Sequence, residues 1–321
     1  MLCLCVILFL TVIACGTDHK NASKAGVKIS DIPVRYRKEL EYLKFDIDHI
    51  ETGTSEDLYQ SYAERVEFNP KVLTQYFLGE GFQEEIHKDK NGIIYLIHKN
   101  HSFLLKQDYV AYRSGSELQV YVTENIPAWR NSKDIDAISI YTDFSEASLQ
   151  SEKEILEEQF SKLGVENLVF QKCYDQDECT YWMGLQEWQG MPVFTTIFYE
   201  GMNEEWMPVQ VLNTSGGAEL ASILYCFRFE QKKEKIELLP FDEIAKSLEQ
   251  EYAMILTDKK HDVVGAELYF WIDVNQEESE YKMEPVWIFT LHEYREGKEE
   301  DYREYQEMIH AETGRCVEVR G

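Results

Sequence analysis

Apolar and polar positions along this chain alternate between two periods, about 3.6 and 2. Residues 70–78 (PKVLTQYFL) carry helical spacing, with Pro70 at a helix-start position and Gly79 and Gly81 behind as stop signals. The pattern then becomes strand-like over 92–98 (GIIYLIH), 102–113 (SFLLKQDYVAYR) and 117–123 (ELQVYVT), with turns at Asn100-His101 and Ser114-Gly115-Ser116. A helix is predicted over 145–163, capped by Ser145 or Ser148, striped by Ile155, Leu156, Phe160 and Leu163, and ended by Gly164. Strands follow over 169–173, 180–187, 192–199, 207–212 and 220–229. Another helix is predicted over 241–255, opening after Pro240 with Asp242 near its positive end, and then strands over 263–274, 285–293, 305–311 and 315–319. Residues 35–50 read as a helical or mixed segment, closed by the break ETGTS at 51–55.

The order is helix, meander, helix, meander, which predicts an α+β fold of helices on antiparallel sheet. The last two blocks also match each other. Pro192-Val193-Phe194 begins a strand 45 residues after Ala147, and Pro285-Val286-Trp287 begins one 44 residues after Phe241. Each block closes on a hairpin turn, Asn213-Thr214-Ser215-Gly216-Gly217 in one and Ala311-Glu312-Thr313-Gly314 in the other. Such self-similarity predicts tandem copies of one unit.

The combination of Pro285-Val286-Trp287-Ile288-Phe289 with a hairpin through Ile309-His310-Ala311-Glu312-Thr313-Gly314-Arg315 resembles PepSY-type units, in which a strand ends in D/N-A-x-T-G. His310 stands where that pattern has Asp or Asn. Stacked units of this kind are also similar to the extracytoplasmic YycH and YycI regulatory proteins of Gram-positive bacteria. The resemblance implies PepSY-like units at 141–235 and 236–321, each a helix packed on an antiparallel sheet, behind an N-terminal α+β domain at 35–140. It implies a non-catalytic regulatory protein that binds a membrane or envelope protein. A protease-inhibitory PepSY-type module, or a glycan- or peptide-binding protein, is the alternative. Strand alternation places His310 off the face shared by Ile309 and Ala311 and turned toward solvent.

The chain opens MLCLCVILFLTVIACGTDHKNASK, with no charge from Met1 to Ala14. At about 1.5 Å per helical residue that run is short for a bilayer core of about 30 Å. Val12-Ile13-Ala14-Cys15-Gly16 resembles a bacterial lipobox. The resemblance implies a signal peptide at 1–14, cleavage between Ala14 and Cys15, a diacylglycerol on Cys15, and a polar tether at 15–34. The chain is then expected on the extracytoplasmic face of the cell membrane, held there by its lipid.

Charge narrows the partners. Against 32 Lys and Arg stand 59 Asp and Glu, a formal net charge of −27. A surface of that sign repels phosphate backbones, so nucleic acid is excluded as the expected partner. An oxidising compartment makes Cys173 and Cys179, which flank YDQDE, a candidate disulfide pair.

No GxSxG, HExxH, Walker A or GxGxxG is present, and no enzyme activity is expected. Ser114-Gly115-Ser116 reads as a turn with no base nearby in sequence. His98-x-x-His101 lacks a third ligand, and Asp175, Asp177 and Glu178 lack the EF-hand pattern, so no metal or other cofactor is expected. Asp46, Asp48 and Glu51 read as solvated acids. Trp182, Trp188, Trp206, Trp271 and Trp287 concentrate in the last two blocks, where sheet core accounts for most of them. Trp188, Tyr199 and Trp206 lie near strand ends and are the candidate binding aromatics.

Overall fold

The computed structural model describes residues 26–79, 87–98, 100–106, 109–117, 119, 139–176, 179–195, 207–254, 259–274 and 278–317. Ala14, Cys15, Tyr199 and Trp206 lie outside the described residues. The fold is α+β and mostly strand, with three α-helices among the described residues. None of these helices is long and apolar enough to cross a membrane.

Helix α1 (Pro70–Leu78) has the predicted bounds. Asn69 caps it by accepting from the backbone N–H groups of Lys71 and Val72, and Gly79 leaves it at φ 78°. Helix α2 (Ala147–Lys162) begins at Glu146 without a side-chain cap, so neither Ser145 nor Ser148 plays the expected part. Its end follows the prediction. Gly164 takes φ 103°, its N–H reaches the Ser161 carbonyl at 3.0 Å, and the Val165 N–H reaches that of Phe160 at 3.0 Å, a Schellman closure. The buried stripe is Leu149, Leu156, Phe160 and Leu163, whereas Ile155 is 52% exposed. One position at 100° per residue is enough to turn Ile155 off the stripe. Helix α3 (Phe241–Tyr252) buries Phe241, Ile244, Ala245, Leu248 and Tyr252.

The first two helices share one sheet. Strands β5 (His87–Lys88), β6 (Ile94–His98), β7 (His101–Lys106) and β8 (Tyr109–Arg113) form one antiparallel run. The predicted strand 102–113 is therefore two, folded into a hairpin between β7 and β8. Glu117 and Gln119 are helical rather than strand, with the Gln119 N–H on Ser116 Oγ at 3.0 Å. The second run is β9 (Ser139–Tyr141), β10 (Leu168–Gln176), β11 (Cys179–Trp188), β13 (Val209–Thr214) and β14 (Gly217–Leu224), again antiparallel. β8 pairs antiparallel with β14, Leu220 opposite Arg113 through Leu224 opposite Tyr109. The two meanders are thereby one sheet, of nine strands among the described residues, running across residue 141. Its core joins Leu73 and Phe77 of α1, Leu156 and Phe160 of α2, and Phe103, Val110, Trp182 and Val211 of the strands.

The third helix has its own sheet. β16 (Lys259–Ile272), β17 (Tyr281–Arg295) and β18 (Arg303–His310) pair antiparallel. The other edge of β16 is covered in succession by three short parallel segments: β2 (Lys44–Ile47), β3 (Ile50–Glu51) and β12 (Met191–Thr195). β1 (Tyr36–Glu39) pairs with β2, so residues 36–51 are strands rather than helix. β12 leaves β11 through a Gln189-Gly190 turn with φ 51° and 72°, the positive pair that a tight hairpin favours. It thus carries Met191 and Val193 from the first sheet into the core under α3.

β4 (Leu58–Arg65) lies between β15 (Phe227–Ile236) and the start of β17. The predicted strand 220–229 is broken into β14 and β15 at Tyr225, which takes φ 49°. A buried polar cluster fastens α3 to the sheet. The hydroxyls of Tyr252 and Tyr305 are 2.6 Å apart, and His261 Nδ1 lies 2.8 Å from the Tyr305 oxygen. Burial lowers the pKa of His261 and raises that of Glu307, which accepts from the Tyr252 hydroxyl at 3.4 Å.

Candidate functional site

The β8–β14 seam ends in a groove of about 610 Å³. Past Arg113 the ladder continues by one bond, from the Ser114 N–H to the Glu219 carbonyl at 2.8 Å. This fixes Ser114 where its hydroxyl donates to the Glu219 carboxylate. The Ser116 N–H closes the loop on Ser114 Oγ at 3.1 Å. Gly115 sits at φ 69° with its α-carbon against Asn100: a Cβ there would lie 2.2 Å from the Asn100 carbonyl oxygen. The opposite wall is the β13–β14 turn, Gly216 to Glu219.

The helices supply the aromatic side. The Tyr76 hydroxyl donates to Gln159 Oε1 at 2.6 Å, tying α1 to α2 across the groove. The Phe77 ring stacks on Tyr112 at 4.9 Å, and His101 Nδ1 lies 3.2 Å from the Tyr112 oxygen. Burial, and then the negative charge of Glu219, push the Tyr112 phenol up to about 12. It stays protonated and able to donate. The groove therefore presents hydrogen-bond donors and acceptors, aromatic faces and one carboxylate, with no Lys or Arg among the described residues that line it.

Of the residues singled out in the sequence, Ser114, Ser116 and His101 meet here. Asn100 joins them from the predicted Asn100-His101 turn, whereas Gln159, Tyr76 and Glu219 were not singled out. Their only local mark is position beside a turn or a helix end, and Glu219 reaches Ser114 across 105 residues of sequence.

The remaining candidates sit elsewhere. Trp188 is half-buried: its Nε1–H donates to Ser61 Oγ at 2.9 Å and its ring lies 5.3 Å from Phe229, so it clamps β11 to β4. Cys173 stands opposite Trp182, and Cys179 opposite Gln176. The alternation of side chains puts Cys173 in the helix-side core and Cys179 in the cluster of Tyr174, Tyr181 and Leu212 on the other face. No bond joins them, and burial pushes the Cys173 thiol up. His98 and His101 are hairpin partners. Asp177 and Glu178 lie outside the described residues. No three His, Cys, Asp or Glu groups converge on a metal position among the described residues.

His310 corrects its expected direction. It is 5% exposed, with Nε2 3.7 Å from Glu284 and Nδ1 accepting from the Glu312 N–H at 3.2 Å. The Thr313-Gly314 turn that follows packs on α3: a Cβ on Gly314 would sit 2.5 Å from Ser247 Oγ. The off-face positions of β17 and β18 meet a second apolar cluster of Phe194, Val286, Ile288 and Met308, so that face is not open to water.

His310, followed by Lys282, holds the Glu284 carboxyl down to about 2 against the opposing effect of burial. A depressed carboxyl pKa stabilises the fold above its ordinary value of 4.5, and that contribution disappears as pH falls toward 2. We expect Glu284→Gln to lose about 1–2 kcal/mol at pH 7 after allowance for partial exposure. The difference from the parent should shrink between pH 4.5 and 2 in urea titrations read by fluorescence.

No family model matches the chain, and no curated protein matches it in sequence. Among solved structures it is similar to the crystal structure of an uncharacterised protein from Eubacterium rectale. The TM-score is 0.58 at 12% identity, over 91% of this chain and 96% of the other. That likeness is one of fold. The Bacillus megaterium YpeB C-terminal domain aligns at TM-score 0.32 and 11% identity, over 79% of this chain and 97% of that domain.

Proposed function

We propose that this chain is a lipid-anchored, extracytoplasmic, non-catalytic binding protein of a Gram-positive envelope. It is built of PepSY-like helix-on-meander units and acts on a membrane or envelope protein. The observation that carries the reading is the margin of the nine-stranded sheet. β5 pairs only with Ile94 and Tyr95, leaving 96–98 as sheet margin among the described residues. Beside that margin Tyr95 and Ile97 are 42% and 76% exposed. A strand margin flanked by apolar side chains is a surface for strand addition by a partner.

Three further features support it. Each of the three α-helices is followed along the chain by antiparallel strands, which supports a helix-on-sheet reading. The lipobox resemblance supplies the anchor. The Ser114 hydroxyl is engaged directly by a carboxylate in a turn-closing arrangement, which suits structure better than nucleophilic attack.

The test is photo-crosslinking in the native host, from position 97 of the full chain with position 298 as control. The expected result is a discrete envelope-protein adduct from position 97 alone. Identical products from both positions, or no product, would refute partner binding at this margin.

A further inference from the structure

We infer that the seam groove is a binding site for a neutral, hydroxyl-rich saccharide. Its volume of about 610 Å³ falls within the range of small-ligand clefts, about 300–1,000 Å³, and accommodates about two or three sugar rings. The lining chemistry selects the class. An anionic ligand would need cationic partners, and no Lys or Arg is among the described residues of the lining, within a chain of net charge −27. A purely apolar ligand would strand Ser116, Asn100, Gln159 and Glu219 without water. A saccharide offers hydroxyls to amide, hydroxyl and carboxylate groups, and C–H faces to an aromatic ring. Tyr76, 36% exposed at the rim, presents such a ring, and its hydroxyl bond to Gln159 holds it in place.

A peptide in extended form is disfavoured by the same geometry. The strand edges that meet at the groove are consumed by each other, through Leu220 with Arg113 and the Ser114–Glu219 backbone bond. No ladder is left there for a peptide backbone to join. The two glycines of the β13–β14 turn, Gly216 and Gly217, keep that wall low: a Cβ on Gly217 would meet nothing within 4 Å.

The site stands apart from the partner surface. Leu96 belongs to the core under α1 and α2, so Ile97 projects from the opposite face of the sheet. Loss of either site leaves the other measurable.

The experiment is ligand-observed NMR and calorimetry on the full chain in a zwitterionic, sugar-free detergent. The probes are cellotriose, maltotriose and chitotriose, with tri-galacturonate and tetra-alanine for comparison. Binding of at least one neutral trisaccharide is expected. Tyr76→Ala and Gln159→Ala should each weaken it at least tenfold without moving the thermal midpoint by more than a few degrees. Tyr76→Phe, which keeps the ring, should stay within about threefold of the parent. Three results would overturn the inference: no binding by any neutral probe, equal binding by the parent and both alanine variants, or preference for the anionic or peptide probe.

Discussion

Replacing Trp287 by alanine is expected to cost about 3–5 kcal/mol, the largest loss of any single side chain considered. Trp287 is 1% exposed in the core beneath α3, edge-on to Phe241 at 5.0 Å and tilted against Phe289 at 6.4 Å. Neither neighbour can follow it inward, because Phe241 opens the helix and Phe289 sits in a strand paired on both edges. A chain of this size should lose roughly 5–7 °C of thermal midpoint for that deficit, measurable by calorimetry. Trp287→Phe is the informative contrast. The indole N–H is buried without a hydrogen-bond partner, so phenylalanine removes an unsatisfied donor while keeping most of the ring. Its expected cost is below about 1.5 kcal/mol. Equal losses for both variants would mean that the indole N–H contributes.

Gly115→Ala is expected to be the most damaging small change at the seam. The residue holds φ 69°, and the added methyl would lie 2.2 Å from a backbone oxygen and 2.7 Å from the carbonyl carbon of Asn100. Backbone strain of about 1–3 kcal/mol and overpacking of about 1–3 kcal/mol act together, so a loss of about 2–4 kcal/mol is expected. The β7 end and the 114–116 loop must part to admit the methyl group, which opens the groove. Hydrogen exchange should therefore quicken at Ser114 and Ser116, while the β16–β17 amides keep their protection. Uniform acceleration across both sheets would contradict a local effect.

These positions show what one-dimensional reading could and could not reach. The helices were legible because their stops are chemical: Pro70 and Gly79 around α1, Gly164 behind α2, Pro240 ahead of α3. The meanders were legible as alternation, but not all their corners. β7 ends at Lys106 and β8 begins at Tyr109 with no glycine or proline in the sequence between them, and the β14–β15 break falls at Tyr225-Cys226 inside an apolar run. Residues 36–51 looked helical or mixed because their strand character is imposed from afar. β2 and β3 pair with β16, more than 200 residues later, and β12 fills the same edge. Tertiary pairing of that range overrides local propensity.

The groove was half legible. The Ser114-Gly115-Ser116 turn was found, but its meaning depends on Glu219 and Gln159, brought in by β14 and α2. His310 was misplaced for a related reason. Alternation gives the side of the sheet correctly, yet that side is covered by Phe194 and Met308 rather than by water. Cys173 and Cys179 show the converse: proximity in sequence suggested a bridge, and the period of two separates them onto opposite faces.

The anchored-protein reading depends first on Cys15. Mass spectrometry of the N-terminal peptide of the protein purified from its native membrane tests it most directly. The account predicts a peptide beginning at Cys15 and carrying a thioether-linked diacylglycerol. A peptide that begins at Met1, or that contains Cys15 unmodified within it, would contradict the account.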